Sequence, residues 1–331
     1  MPTFRRRGAA VLTVLAVGLA ALSGVGDVSA AAAEYMPAST YVVPGGQVFP
    51  ESVCADPVSG FFYVSGARDG TIYRGRPGVR RLEVYLPGGT DGRTMAQGLR
   101  LDDRGRLYVA GGVTGQMWVY DTRDRSLVRR FDTGLREGTF VNDLEFDADG
   151  NAYFTDSHTP VLWRVPASEL VRTERPGTPE RFLDFNDTVV RYQEGFNVNG
   201  VVPARGGRSL IVIQSNTGKL YRIRLATRDV SEIPLKGGPL SSGDSITPVS
   251  GDRLLITRNV QNQIVTVRLG ASGASVTKVY RDATFRYPTA AVIHRGRLLV
   301  PNSQFDKWEQ DDPELPFTVS AVPLKNVLGV R

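Results

Sequence analysis

Apolar and polar positions alternate along this chain in short runs that recur at a nearly constant interval. Six runs open on a short polar or kinking residue: Glu51-Ser-Val-Cys-Ala-Asp, Gln97-Gly-Leu-Arg-Leu-Asp, Asn142-Asp-Leu-Glu-Phe-Asp, Asn199-Gly-Val-Val-Pro-Ala, Asp244-Ser-Ile-Thr-Pro-Val and Thr289-Ala-Ala-Val-Ile-His. Their starts lie 46, 45, 57, 45 and 45 residues apart. Each run passes through a Gly-bearing turn into a second β-branched or aromatic run, such as Phe61-Phe-Tyr-Val-Ser or Leu210-Ile-Val-Ile. The turns, among them Asp56 to Gly60, Asp102 to Gly105 and Asp147 to Gly150, use Asp to cap and Gly for positive φ. A third run follows in most repeats, as at Gln116-Met-Trp-Val-Tyr. A charged fourth one, such as Arg81-Leu-Glu-Val-Tyr, guards the edge against pairing with another chain. Four strands per repeat of about 45 residues predict an all-β fold, a six-bladed β-propeller of four-stranded antiparallel blades.

The sixth repeat lacks an outer strand, and Tyr41-Val-Val near the N-terminus is placed to supply it and close the ring. The long third interval puts an insertion between Pro166 and Glu194, with a helical turn expected at Ser168-Glu-Leu-Val-Arg. No linker divides residues 34–331, which read as one domain. Ahead of them, three arginines at 5–7, an apolar stretch from Ala9 to Leu22 and the small residues Val28-Ser-Ala30 form a secretory signal peptide over residues 1–33. The apolar stretch is too short and too broken by glycine for a membrane span. The mature chain is therefore expected to be secreted, with no stable membrane anchor.

Composition adds three exclusions. Removing residues 1–33 takes the formal charge from +6 to +4, and the arginines are scattered among acidic residues without interleaved aromatics, so nucleic acid is not an expected partner. Cys54 is the only cysteine, so no internal disulfide can form; within a strand it reads as a small packed hydrophobe. No Gly-x-Ser-x-Gly elbow occurs, and Asp156, Ser157 and His158 are too close in sequence to converge as a triad.

The innermost strand of every propeller blade starts beside the central axis. Glu51, Asn142, Asn199 and Asp244 hold equivalent starts in blades 1, 3, 4 and 5, so four oxygen-bearing side chains converge on one point. Two carboxylates and two amides make a hard donor set that suits one divalent cation, calcium before magnesium; zinc would call for His or Cys. The bland alternative is that the four only hydrogen-bond one another and water. Two carboxylates buried side by side without a counter-ion are costly, which favours the metal. Asp147-Ala-Asp-Gly150, which superficially suggests a calcium loop, recurs in weakened form in other blades and reads as turn chemistry.

With these starts in register, the chain resembles the calcium-dependent six-bladed propellers of the gluconolactonase and senescence-marker-protein family, with the paraoxonases as more distant relatives. The resemblance spans residues 45–325 and rests on the order Glu51, Asn142, Asn199, Asp244. It implies that Glu51, Asn199 and Asp244 ligate the ion, that Asn142 ligates it or contacts substrate, and that Asp244 is the general base of lactone hydrolysis. Two departures qualify it. Sugar-lactonase members often carry an arginine where this chain has Phe140, which points to a substrate less polar than a sugar lactone, or to none; and the paired histidines of paraoxonases are missing.

Strand B of each blade returns to the end where strand A began, so its last residues should ring the mouth of the site. Gln97, Phe140, Asn142, His158 and Arg258 are accordingly the candidate substrate-binding residues, and His294, at the opposite turn, is expected in solvent. The leading functional expectation is a secreted calcium-dependent hydrolase of a small-molecule lactone or related ester. A non-catalytic propeller, stabilised by its ion and binding a ligand or partner at its rim, is the alternative; a lyase or synthase on the same scaffold is a third.

Overall fold

The computed structural model describes residues 39–330 with the exception of Glu174 and Arg205. The secretory leader expected over residues 1–33 lies outside the described residues. Six antiparallel sheets follow one another along the chain and form a six-bladed β-propeller. Blade 1 comprises Pro50–Ala55, Phe62–Gly66, Ile72–Gly75 and Glu83–Leu86, and each of blades 2 to 4 repeats that meander. Blade 5 differs from the expected four strands, because the two-residue strand Leu235–Lys236 adds in parallel to the edge of Ala274–Tyr280.

Blade 6 is built from both ends of the chain. Its strands Val292–His294, Arg297–Asn302 and Phe317–Pro323 are completed by Thr40–Val43, with Tyr41 opposite Val319 and Val43 opposite Phe317. This is the closure that Tyr41-Val-Val suggested, and it removes the one open edge that would otherwise interrupt the ring.

Hydrophobic side chains are divided among the six seams between blades. Phe49, Val53 and Phe62 of blade 1 meet Leu299, Phe317 and Val319 of blade 6, and the other five seams are filled in the same way. A short C-terminal helix, Leu324–Leu328, which the strand pattern did not announce, inserts Val327 into the seam between blades 5 and 6. Pro323 precedes it and Gly329, at φ 70°, ends it.

The turns between strands A and B follow the expected chemistry. Asp147 Oδ1 accepts from the backbone N–H groups of Asp149 and Asn151 at 3.0 and 2.9 Å, so its carboxylate is occupied in capping the turn. The insertion in blade 3 holds 3₁₀ turns at Ala167–Glu169 and Phe185–Asp187 on either side of the outer strand Glu180–Asp184. His294 departs from expectation. Ring closure folds the blade 1 turn over it, so it is buried with its ring centroid 6.2 Å from that of Phe62. Burial, and then Arg295, depress its pKa below the ordinary histidine value.

Innermost strands share one irregularity that positions everything at the axis. In blade 1, Pro50 pairs with Gly66 and Val53 with Val64, so Glu51 and Ser52 together face the single residue Ser65. Blades 3, 4 and 5 repeat this bulge at Asn142-Asp143, Asn199-Gly200 and Asp244-Ser245. A bulge bends the strand and re-aims its side chains, here toward the hub. The backbone amides it unpairs are partly recovered by hydroxyls on strand B: Ser52 N–H donates to Ser65 Oγ at 2.8 Å and Asp143 N–H to Thr155 Oγ1 at 3.1 Å.

Because the closing seam holds the ring, a buried truncation there should cost far more than an exposed one elsewhere. Phe317→Ala removes a fully buried ring, 5.1 Å from that of Phe49. It is expected to lower the unfolding free energy by about 3–5 kcal/mol in urea titration. Val84→Ala, at a 49% exposed position, should change it by less than about 0.5 kcal/mol.

Candidate functional site

The hub opens on one side into a cavity of about 580 Å³. Glu51, Gln97, Asn142, Asn199 and Asp244 line it, from blades 1 to 5 in turn. The sixth start, Thr289, is used differently: its hydroxyl bonds the carbonyl of Glu51 and Ser303 Oγ, tying blade 6 to blade 1. Gly98 and Gly200 follow Gln97 and Asn199 because a Cβ there would come 2.5 Å from the carbonyl oxygens of Asn142 and Asp244 respectively. Only glycine lets blades 2 and 4 approach their neighbours that closely.

Two of the three hub amides, Asn142 and Asn199, are oriented by a serine at the end of strand B. Ser157 Oγ donates to the Val198 carbonyl at 2.9 Å, so it accepts from Asn142 Nδ2 at 3.0 Å. Ser215 Oγ donates to the Gly243 carbonyl and accepts from Asn199 Nδ2 at 3.2 Å. With the nitrogen held in this way, the amide oxygen is the end left for the cavity. In blade 5 the same strand position carries Asn259, whose Nδ2 donates to Asp244 Oδ2 at 2.8 Å, while Asn199 Nδ2 also reaches Asp244 Oδ1 at 2.8 Å. These three orienting residues have no catalytic signature of their own. Aligning the six strand-B ends would have shown Ser, Ser and Asn at one shared position.

Electrostatics at the hub are unbalanced. Burial, then Asp244 and Asp143, push the Glu51 carboxyl well above its ordinary range, and Glu51 Oε2 is buried without a hydrogen-bond partner. Asp244 is pushed up to about 7 by burial, against the opposing pull of its bonds from Asn259 and Asn199. Arg100, the cation whose charge opposes the rise at Glu51, serves other partners. It lies 3.6 Å from Asp143 Oδ2 and 3.3 Å from Glu145 Oε2, on the next level of the channel. Burial opposes its charge, and those two carboxylates outweigh that and raise its pKa.

Two carboxylates, one with an unpartnered buried oxygen, and two amides turned oxygen-inward compose a hard donor set that fits calcium. The cavity lining contains no His or Cys, so the donor set is not that of a thiolate or imidazole centre; among the described residues no group of three or more His, Cys, Asp and Glu is placed to hold a metal.

Above this polar floor the walls are largely apolar, with Asn216, Ser242, Asn259 and Glu309 as polar members. Phe140 and Phe196 stand edge-to-face on one side, 5.0 Å between centroids, and Tyr287, Phe305 and Trp308 stand on another. Met95, Val113 and Val260 fill the remaining arcs. Phe140 thus faces the cavity directly. His158 and Arg258 do not line it. His158 is exposed and stacks behind Phe140 and Phe196 at 5.4 and 5.0 Å, and Arg258 Nε bonds the Ser241 carbonyl at 2.9 Å. Phe196 owes its position to Asn197, whose buried amide bonds the backbone of Gln193, Gly195 and Ser157 and the side chains of Gln214 and Asn216.

No family model matches this chain, and no curated protein matches it. Among solved structures it is similar to regucalcin of Agrobacterium tumefaciens, described as a calcium-binding protein: 14% identity over 86% of this chain and 97% of that one, TM-score 0.60. The major allergen Mala s 1 of Malassezia sympodialis aligns at 16% identity over 86% and 96% of the two chains, TM-score 0.62. Virginiamycin B lyase from Staphylococcus aureus aligns at 11% over 86% and 98%, TM-score 0.56. At such identities the likeness shows the shared propeller fold.

The charge imbalance has a measurable consequence in protein stripped of cations by chelator. Glu51 and Asp244 keep protons in the folded state that the unfolded chain has already released. Their contribution to stability is therefore fully present below about pH 4 and lost as pH rises through 7. Glu51→Gln should flatten that loss and raise the unfolding free energy of the stripped protein at pH 8, by on the order of 1 kcal/mol. Chemical denaturation at several pH values reads both effects.

Proposed function

We propose that this protein is a calcium-dependent hydrolase of a lactone or related ester, with its reaction centre on the hub floor. The observation that carries the proposal is the convergence of Glu51, Asn142, Asn199 and Asp244 from four blades, with Glu51 Oε2 buried and unpartnered. Glu51, Asn199, Asp244 and Asn142 would hold the cation. When bound, a divalent ion there supplies a Lewis acid for a substrate carbonyl oxygen. The chain's own residues do the rest. Ser157 and Ser215 fix the amide oxygens, and Asn259 and Asn199 fix the Asp244 carboxylate from both of its oxygens. Asp244, its carboxylate held on both oxygens at the floor, is suited to take the proton of an attacking water. The apolar walls limit competing water at the floor.

Solved neighbours on the same propeller include a protein described as calcium-binding and a lyase, which is compatible with a metal-dependent enzyme. The order of the four hub residues supports the narrower assignment to the gluconolactonase type. A secretory leader over residues 1–33, as the sequence reads, would accord with action after export on a small-molecule substrate. A second reading has its own observation: Phe196 and Val260 are 44% and 57% exposed at the mouth, as a binding rim would be. Under that reading the ion stabilises the ring and no substrate turns over.

Calcium added to stripped protein should raise its melting temperature, and Glu51→Gln should remove most of that rise. Ser157→Ala or Ser215→Ala should weaken calcium binding about 10–100-fold in isothermal titration, through loss of amide orientation. On a panel of lactones and esters with calcium, Asp244→Asn should lower kcat/KM by about 10²–10⁴-fold. Calcium stabilisation without turnover of any panel member would favour the binding reading.

A further inference from the structure

The cavity walls carry more information about the substrate than the hub beneath them. Blades 3 and 4 present Phe140 and Phe196, with His158 stacked against both. Around blade 6 stand Tyr287, Phe305 and Trp308, with Tyr287 and Trp308 respectively 6.2 and 5.6 Å from the Phe305 ring. In a closed ring of six, blade 3 lies across the axis from blade 6 and blade 4 across from blade 1, so the two aromatic groups face each other over the floor.

Both groups are braced from behind. The Asn197 network fixes the backbone on either side of Phe196. Arg68 lies 5.0 Å over the Trp308 ring, donates to the Trp308 carbonyl, and pairs with Asp311 at 2.9 Å. The spacing between walls is therefore set by the fold and does not wait for a ligand.

Charge selects as well. No Lys, Arg or His lines the cavity; Glu309 is the acidic side chain of its walls, and the floor carboxylates Glu51 and Asp244 would be offset by a bound divalent ion. An anionic substituent held between the walls, away from the floor, would lie near Glu309 and find no cationic side chain to pair with. A polyhydroxylated ring lying between the walls would turn part of its hydroxyls against Phe140, Phe196, Val113 and Trp308, away from the polar lining at Gln97, Asn216, Ser242 and Asn259. A neutral ligand with an apolar ring could stack between the walls and direct one carbonyl at the floor. A cavity of about 580 Å³ accommodates a molecule of that size.

We propose that the substrate is an uncharged lactone or ester bearing a ring-sized apolar group held between the Phe140–Phe196 wall and the Tyr287–Phe305–Trp308 wall. This rests on the hydrolase reading, and the two can fail separately. With calcium present, phenyl acetate should be cleaved with kcat/KM at least about tenfold above para-acetoxybenzoate, and γ-decanolactone similarly above gluconolactone. Phe196→Ala, at an exposed site whose truncation spares the core, should raise KM for the apolar substrates about five- to tenfold while kcat moves less. Equal efficiency for the anionic or sugar-derived member of either pair, or an unmoved KM in Phe196→Ala, would overturn the proposal.

Binding gives a readout that does not need turnover. Trp118 and Trp163 are buried, so Trp308 reports on the mouth. Neutral methyl naphthoate should quench tryptophan fluorescence in the wild-type protein and not in Trp308→Phe, and anionic naphthoate should bind at least about tenfold more weakly. That pattern with no hydrolysis of any ester would leave the wall assignment standing and remove the hydrolase reading. Equal quenching by both probes, or by neither, would remove the wall assignment itself.

Discussion

Two carboxylates forced into one dry space at the axis are the constraint around which this molecule is arranged. Glu51 and Asp244 cannot both ionise there cheaply, because burial strips their hydration and each raises the cost of the other's charge. Arg100, the cation whose charge opposes the rise at Glu51, sits one level away between Asp143 and Glu145 and neutralises that level instead. The hub can be satisfied by protons or by a cation. An ion that binds only the folded form adds its binding free energy to stability, about 2.7 kcal/mol at a hundredfold excess over Kd. The same charge imbalance that weakens the cation-free ring is what a bound hard cation would relieve.

That imbalance can be sustained because the ring is closed elsewhere. Glu51 comes from blade 1 and Asp244 from blade 5, and blade 6 lies between them. Blade 6 is held by Thr40–Val43 zipped to Phe317–Pro323, by the Phe49–Phe317 contact, and by Ser303 and Thr289 bonding the backbone of Pro50 and Glu51. Opening this seam would let the two carboxylates separate and hydrate. Apolar burial at the rim of the propeller therefore does work against charge repulsion at its centre, and the two ends of the chain, remote in sequence from the hub, set its geometry.

Much of this was legible from periodicity. The repeat spacing, the Asp and Gly turns and the orphan sixth blade each have a local residue signature, and Tyr41-Val-Val completing blade 6 follows from counting strands. The convergence of Glu51, Asn142, Asn199 and Asp244 around one cavity was legible for the same reason, since equivalent blade positions are equivalent in space. What escaped depends on contacts between blades. His294 looked like a turn residue in solvent until the blade 1 turn closed over it. Arg100 read as one more polar position in a strand, and only the bulge and the neighbouring Glu145 show it to be a channel residue. Ser157, Ser215 and Asn259 appeared as rim residues because a short hydroxyl or amide says nothing, in sequence, about which oxygen it orients. Arg258 and His158 belong to the same strand ends yet point away from the cavity, so position alone did not assign them.

Floor and walls of the cavity are made by different parts of the chain, and this separates chemistry from selectivity. The floor residues sit on bulged strand starts, where the ladder leaves little freedom, so the donor set is as rigid as the fold. The walls come from connecting segments: the approach to blade 3 at Phe140, the end of the long insertion at Phe196, and the polar loop carrying Phe305 and Trp308. Those segments can be exchanged without disturbing the hub, provided anchors such as Asn197 and Arg68 are exchanged with them. A propeller of this type can therefore hold its hub chemistry constant while its substrate changes. In this chain Phe140, packed against Phe196 and His158, gives that wall an aromatic surface suited to stacking.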